Sequence, residues 1–268
     1  MPVWKRLGNE APPRCGAAKV ATSTETYGRT ILIESMLTPR SWAILVAAAS
    51  LAAAQPTHAR GELPARFPAA GIPLHALVVR AQPDPEARIV RRMRRFRDDL
   101  QFQIVLVLSA RPGSDRATWY RLSLPGRPNG QRGWVPSDAV DVQPVRTRIT
   151  VRLGDRRIKI RRVGDGKLLL KGIVAIGRPG AETPLGHNFY VRSGFVPTDP
   201  FFGTYALETS ASSSLTDWPD HGIVGIHGTN RPELLGQAVS HGCIRVDNAV
   251  ATRLRALAPL GTPIDIVR

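Results

Sequence analysis

The chain has 268 residues, 43% of them hydrophobic and 6% aromatic, and a net charge of +16. That composition is ordinary for a globular chain of one or two domains. The basic excess points to an anionic partner such as a cell-wall polymer or membrane, and nucleic acid is set aside because no stacking-aromatic pattern accompanies the basic stretches.

Residues 1–35 precede a good start at Met36 and look like no part of a fold; we read them as an upstream extension. From Met36 the chain runs MLTPRSWAILVAAASLAAAQPTHA. Arg40 supplies a basic head, Trp42 to Leu51 an apolar stretch, and Ala52 to Ala54 a small-residue cleavage site, which is the layout of a secretory signal over 36–59. Cleavage is expected near Ala54 or Ala59, placing the mature protein in the periplasm or cell wall. The apolar stretch, about a dozen residues, is short for a membrane span, and an N-terminal membrane anchor is the alternative. Loss of residues 1–54 removes six Lys/Arg and three Asp/Glu and leaves +13. It also removes Cys15 and leaves Cys243 as the one exported cysteine. An odd cysteine in a secreted chain suggests a reactive thiol; the plainer reading is a small buried hydrophobe.

Residues 60–72, rich in Pro, Ala and Gly, read as a linker. After them come short apolar runs separated by turns: Leu74 to Val79, Ile89 to Met93, Gln103 to Leu108, Trp119 to Leu124 and Gly133 to Val135. These predict strands. In WYRLSLPGRPNGQRGWV, Trp119, Arg121 and Ser123 alternate with Tyr120, Leu122 and Leu124, and the turn formers PGRPNG lead into GWV. This stretch resembles the end of a bacterial SH3-like module, over residues 73–143. The resemblance implies a wall-binding or spacer role. RIVRRMRRFRDDLQ also fits a basic amphipathic helix on a membrane surface, with Ile89, Val90, Met93, Phe96 and Leu100 on one side. A strand followed by a charged turn is the expectation, because the flanking pattern is all strand.

A second unit occupies 145–268. RITVRLGDRRIKIRR predicts a hairpin, with Ile149, Val151 and Leu153 on one arm and Ile158 and Ile160 on the other. KLLLKGIVAIG extends the sheet, and RPGAETPLGHNFYV is a loop returning to a strand. VDNAVATRLRALA predicts a helix with Val250, Leu254 and Leu257 inward. Asn248 is expected to cap it, with Asp247 as the alternative.

The chemistry gathers in GIVGIHGTNRPELLGQAVSHGCIRVDN. Ile223, Val224 and Ile226 read as a buried strand ending at His227, sixteen residues before Cys243. A thiol attacks as the thiolate, and a nearby histidine is the usual means of forming it. Gly242 permits a tight turn, so the amides of Gly242 and Cys243 are candidates for stabilising an oxyanion. Zinc on His221, His227, His241 and Cys243 is a competing reading, weakened by the lack of CxxC or HExxH spacing. A papain-like cysteine hydrolase is another, but there the cysteine precedes the histidine. A noncatalytic wall-binding protein is the third.

His-Gly, a gap, then Ser-His-Gly-Cys-x-Arg and an Asn resemble the signature of the L,D-transpeptidases, the YkuD domain family. The similarity runs from about Arg148 to Arg268 and includes Thr183, Pro184, Gly186, Phe189 and the closing GTPIDIV. It implies a mostly β protein: a small SH3-like barrel, then a β-sandwich-like catalytic domain with a short C-terminal helix. It also implies that Cys243 attacks the third-residue carbonyl of a peptidoglycan tetrapeptide stem and expels D-alanine. An amine acceptor then resolves the thioester to a 3→3 cross-link; water in its place would make a carboxypeptidase. In this scheme His227 is the base and the Gly228 carbonyl orients it. Ser240, His241 and Gly242 support the nucleophile, and Arg245, Gly228, Thr229 and Asn230 contact substrate. No cofactor or metal is needed, and acylation by carbapenems is implied. Every catalytic candidate lies after Arg148, so residues 73–143 are expected to contribute nothing to the chemical step.

Overall fold

The computed structural model describes residues 67–215 and 222–268. The upstream extension, the signal or anchor and His221 lie outside the described residues.

Seven strands form the first sheet: β1 (Ala69–Pro73), β2 (Leu77–Arg80), β3 (Ile89–Met93), β4 (Val105–Pro112), β5 (Thr118–Ser123), β6 (Arg132–Pro136) and β7 (Val140–Pro144). Their order is β3-β2-β6-β5-β4-β1-β7, and each neighbouring pair is antiparallel. Leu77, Val79, Val105, Val107, Tyr120, Leu122 and Val135 make its core. The linker expected over 60–72 gives way to strand at Ala69. β1 buries Ala69, Gly71 and Pro73 and pairs with both β4 and β7. Small residues there reflect crowding, since a Cβ on Gly71 would come within 2.6 Å of Val140 Cγ1 and 2.9 Å of Val105 Cγ2. The basic stretch is the strand β3 and then a turn, with Phe96 and Leu100 exposed and Phe96 bridged to Phe102. The alternation in β5 is incomplete because both faces are covered. Trp119 is buried with its Nε1 donating to Asp115 at 3.0 Å, and Ser123 Oγ donates to the carbonyl of Asn188 in the second sheet at 2.8 Å.

The second sheet holds β8 (Thr147–Arg152), β9 (Arg157–Arg162), β10 (Leu168–Gly177), β11 (Gly186–Phe195), β12 (Ala206–Ser212), β13 (Ile223–His227), β14 (Ala238–Ser240), β15 (Ile244–Val246) and β16 (Pro263–Val267). The order is β14-β10-β15-β13-β12-β11-β16-β8-β9, and β9 pairs again with β10. That last pairing joins the end strand β9 to β10, next to the other end, so the strands wrap one core. The hairpin expected at 148–162 is β8 and β9, in register Ile149↔Ile160 and Val151↔Ile158, with all four side chains buried. Period-two alternation buries one face of these strands and leaves the Arg and Lys residues outward.

The predicted helix is α1 (Asn248–Leu257). Ala251 and Leu254 are fully buried, and Val250 and Leu257 pack at the edge of the core. Its cap is Asp247, whose carboxylate accepts from the Ala249 amide at 2.8 Å. The expected capping role of Asn248 is therefore corrected, because its amide group is engaged by Thr204 and Thr229.

Candidate active site

β13 and β15 lie side by side and parallel, in register Ile226↔Ile244 and His227↔Arg245. Val224 and Ile226 of β13 and Ile244 and Val246 of β15 lie in the core and so carry His227 and Arg245 to the same level. Cys243 occupies the turn between β14 and β15 and is partly exposed. Gly225 stands beneath it. Its amide donates to Cys243 Sγ at 3.4 Å, and a methyl group on it would lie 3.7 Å from both Sγ and His227 Cδ2. The thiol and the imidazole therefore border one small space, which glycine leaves empty.

His227 is 2% exposed. Its Nδ1 lies 2.6 Å from the Gly228 carbonyl. A carbonyl only accepts, so Nδ1 carries the proton and Nε2 is left as the basic nitrogen. Burial, reinforced by the Arg245 charge and opposed by the Gly228 carbonyl, pushes the His227 pKa down to about 4. The ring is neutral across the ordinary pH range. Phe202 meets it edge-on at 5.0 Å between centroids, and Phe201 lies at 6.2 Å. These two come from the short 3₁₀ turn Pro200–Phe202, capped by Asp199 on the Phe201 amide at 2.8 Å. Sequence reasoning passed them over; the Asp-Pro pair, a cap followed by proline at the first helical position, was the available signal.

The cysteine turn is built from backbone bonds. Ser240 Oγ donates to the Cys243 carbonyl at 2.6 Å and accepts from the Gly242 amide at 3.2 Å. The Gly242 amide is thus engaged within the turn. Gly242 has φ +111°, and a Cβ on it would come 2.8 Å from Ser213 Cβ, so the position admits only glycine. Thr183 Oγ1 donates to the Gly242 carbonyl and accepts from the Gly177 amide, both at 2.9 Å. Thr183 of the TPLG stretch thereby ties the turn to β10. His241 is partly exposed, and partial burial followed by Arg178 and Arg245 disfavours its protonated form.

Arg245 is 8% exposed, with its guanidinium 4.6 Å from the Phe201 ring centroid. It is not an ordinary surface arginine. Burial lowers its pKa, and the negative charge of a Cys243 thiolate acts in the opposite sense. Of the remaining candidates, Asn230 is exposed while Gly228 and Thr229 are buried. Thr229 donates its amide to Asn248 Oδ1 at 3.1 Å and accepts at its carbonyl from Asn248 Nδ2 at 3.0 Å, and its Oγ1 accepts from Arg231 N at 3.0 Å. Gly228 and Thr229 therefore shape the His227 loop. Asn248 Oδ1 also accepts from the Thr204 amide at 3.2 Å. It clamps three segments together, a role no local pattern announces.

Of the four residues in the zinc reading, His227 has one ring nitrogen committed to Gly228 and His221 lies outside the described residues. Among the described residues no three His, Cys, Asp or Glu side chains gather as metal ligands.

Comparison with known proteins returns one family over this unit. Residues 146–266 match the model of the YkuD family, the L,D-transpeptidase catalytic domain. The chain is 36% identical over 95 residues to the YkuD protein of Bacillus subtilis (strain 168), covering 35% of this chain and 51% of that one. It is 34% identical over 119 residues to the YkuD protein of Bacillus licheniformis, covering 44% and 64%. The chain thus spans between half and just under two thirds of the length of these relatives. Among solved structures it is similar to L,D-transpeptidase 3 from Mycobacterium tuberculosis in complex with a faropenem-derived adduct. That pair shows 16% identity and a TM-score of 0.39, over 62% of this chain and 91% of that one.

Proposed function

We propose, from the premise of an L,D-transpeptidase catalytic domain over residues 146–266, that the protein is an exported cysteine acyltransferase of peptidoglycan. Cys243 Sγ attacks the carbonyl carbon of the third residue of a tetrapeptide stem. The thiol proton passes to His227 Nε2, which returns it to the departing nitrogen as the bond to D-alanine breaks. The acyl group remains on sulfur as a thioester. An acceptor amine from a second stem attacks that thioester, loses its proton to His227 and restores the thiol, leaving a 3→3 cross-link. Arg245, close to the thiol, pairs with a carboxylate of the donor. The first sheet is an SH3-like module directed to the wall, and the basic surface favours anionic wall polymer. Export rests on the signal layout at 36–59, and sequencing the mature N-terminus checks it against retention at Met1.

The observation that carries this reading is the neutral, buried His227 bordering the same space as the Cys243 sulfur, with its tautomer set by Gly228. A strained lactam should acylate that sulfur directly, because ring opening replaces expulsion of D-alanine. Intact-mass measurement with a carbapenem tests this. Wild type should gain one adduct on the Cys243 peptide and Cys243→Ala none. A folded wild type that gains no adduct, or a variant that still gains one, refutes the assignment.

A further inference from the structure

The turn that joins β5 to β6 in the first sheet lies against the second sheet, beside the cysteine turn. Asn129 makes a two-way contact with Ser212, the last residue of β12: its Nδ2 donates to the Ser212 carbonyl at 2.7 Å and its Oδ1 accepts the Ser212 amide at 2.9 Å. Arg127 Nη2 donates to the carbonyls of Ser213 at 2.6 Å and Leu215 at 2.8 Å. The Gly126 amide donates to the Ser210 carbonyl at 3.2 Å. Three residues of this turn therefore hold the backbone of β12 at its end and just past it, with five hydrogen bonds. Ser213 is also the residue on which Gly242 rests, with 2.8 Å between its Cβ and the position a Gly242 Cβ would take. Ser213 is 4% exposed, and its amide is held by the Gly222 carbonyl at 2.8 Å. The groove at this place is lined by Arg127 and Asn129 together with Glu182, Pro184 and Ser212 to Ser214.

We propose that Arg127 and Asn129 are positioning residues for the nucleophile: through Ser212 and Ser213 they set the wall against which the Gly242–Cys243 turn is held. The first sheet is then part of the catalytic apparatus and not only a spacer. Asn129 acts as a backbone mimic, satisfying one donor and one acceptor at a strand end that would otherwise be left unpaired. Gly242 has no side chain to fill a gap, so a shift of Ser213 passes straight to the cysteine turn. Displacements near 1 Å at a reacting group can cost as much as about a hundredfold in rate.

The proposal rests on the cysteine acyltransferase reading only in taking Cys243 as the reacting group, and the test separates the two. In the full chain, Asn129→Ala and Arg127→Ala are compared with Ser123→Ala. The last removes a bond between the same two sheets, at Asn188, away from the cysteine turn. Two rates are measured at a temperature where melting curves show each protein folded: alkylation of Cys243 by iodoacetamide, and kcat with KM for D-alanine release from a tetrapeptide stem. Asn129→Ala should slow alkylation and lower kcat by roughly tenfold with KM changed little, and Ser123→Ala should change neither by more than about twofold. Arg127→Ala should fall in the same sense, with Arg127→Lys recovering part of the loss through its retained cation. It also serves as the measured variant should Asn129→Ala not fold. Alkylation within twofold of wild type in the folded Asn129→Ala or Arg127→Ala protein overturns the proposal, as does an equal loss in Ser123→Ala. A wild type that alkylates but releases no D-alanine refutes the transpeptidase reading, and alkylation alone then decides the positioning role.

Discussion

A histidine kept neutral by burial remains a base in acid, but its burial costs stability there. His227 sits near 4 in the folded chain against 6.5 for a free imidazole. Between those values the unfolded chain binds a proton that the native chain does not, so stability rises with pH through that window. The contribution is fully present above about 6.5 and lost as pH falls toward 4, on the order of 3 kcal/mol in all. Urea unfolding of wild type at pH 7 and pH 4.5 should show this slope, and His227→Gln should flatten it; equal slopes would contradict the buried neutral assignment. The same residue should make its activity loss a kinetic one. His227→Ala should slow acylation by about 10²–10⁴-fold at pH 7, the usual cost of losing a general base, measured as the rate of D-alanine release.

At the scale of elements, what could be read in advance followed periodicity and local chemistry. The β8–β9 hairpin declared itself by alternation, and α1 by the 3.6-residue spacing of Val250, Leu254 and Leu257. The approach of His227 to Cys243 was legible because a strand end and a glycine turn place them by local rules. Asn248 was misread because a cap is a local contact, whereas its real partners, Thr204 and Thr229, arrive only through the closed sheet. Phe201, Phe202 and the covering of β5 on both faces have the same origin in tertiary approach. Asn248→Ala should cost about 1–3 kcal/mol, since it strips buried backbone groups of Thr229 of their partner. Asp247→Ala should cost about 1 kcal/mol, as the loss of a helix cap. Chemical denaturation of the two variants checks the order, and a costlier Asp247→Ala would contradict the clamp.

Among the described residues the two sheets meet at several points. Tyr190 of β11 is fully buried against Leu106 of β4 and Ile104 just before it, and Arg97, in the connection from β3 to β4, pairs with Glu208 of β12 at 2.5 Å. The reading from sequence that residues 73–143 stand apart from the chemistry followed from where the catalytic residues lie along the chain. Spatially, Ser123, Arg127 and Asn129 all reach across. A fragment of residues 145–268 would expose Tyr190 and leave Glu208 without Arg97, so it should melt below the full chain and alkylate more slowly at Cys243. Equal melting and equal alkylation would show the sheets to be independent. The central claim, acyl transfer through Cys243, is tested most directly by incubating the full chain with a defined disaccharide-tetrapeptide and following products by mass. The account predicts release of D-alanine, a transient acyl-enzyme at Cys243 and a 3→3 cross-linked dimer, none of them formed by Cys243→Ala. A folded wild type that releases no D-alanine and forms no acyl-enzyme would contradict it.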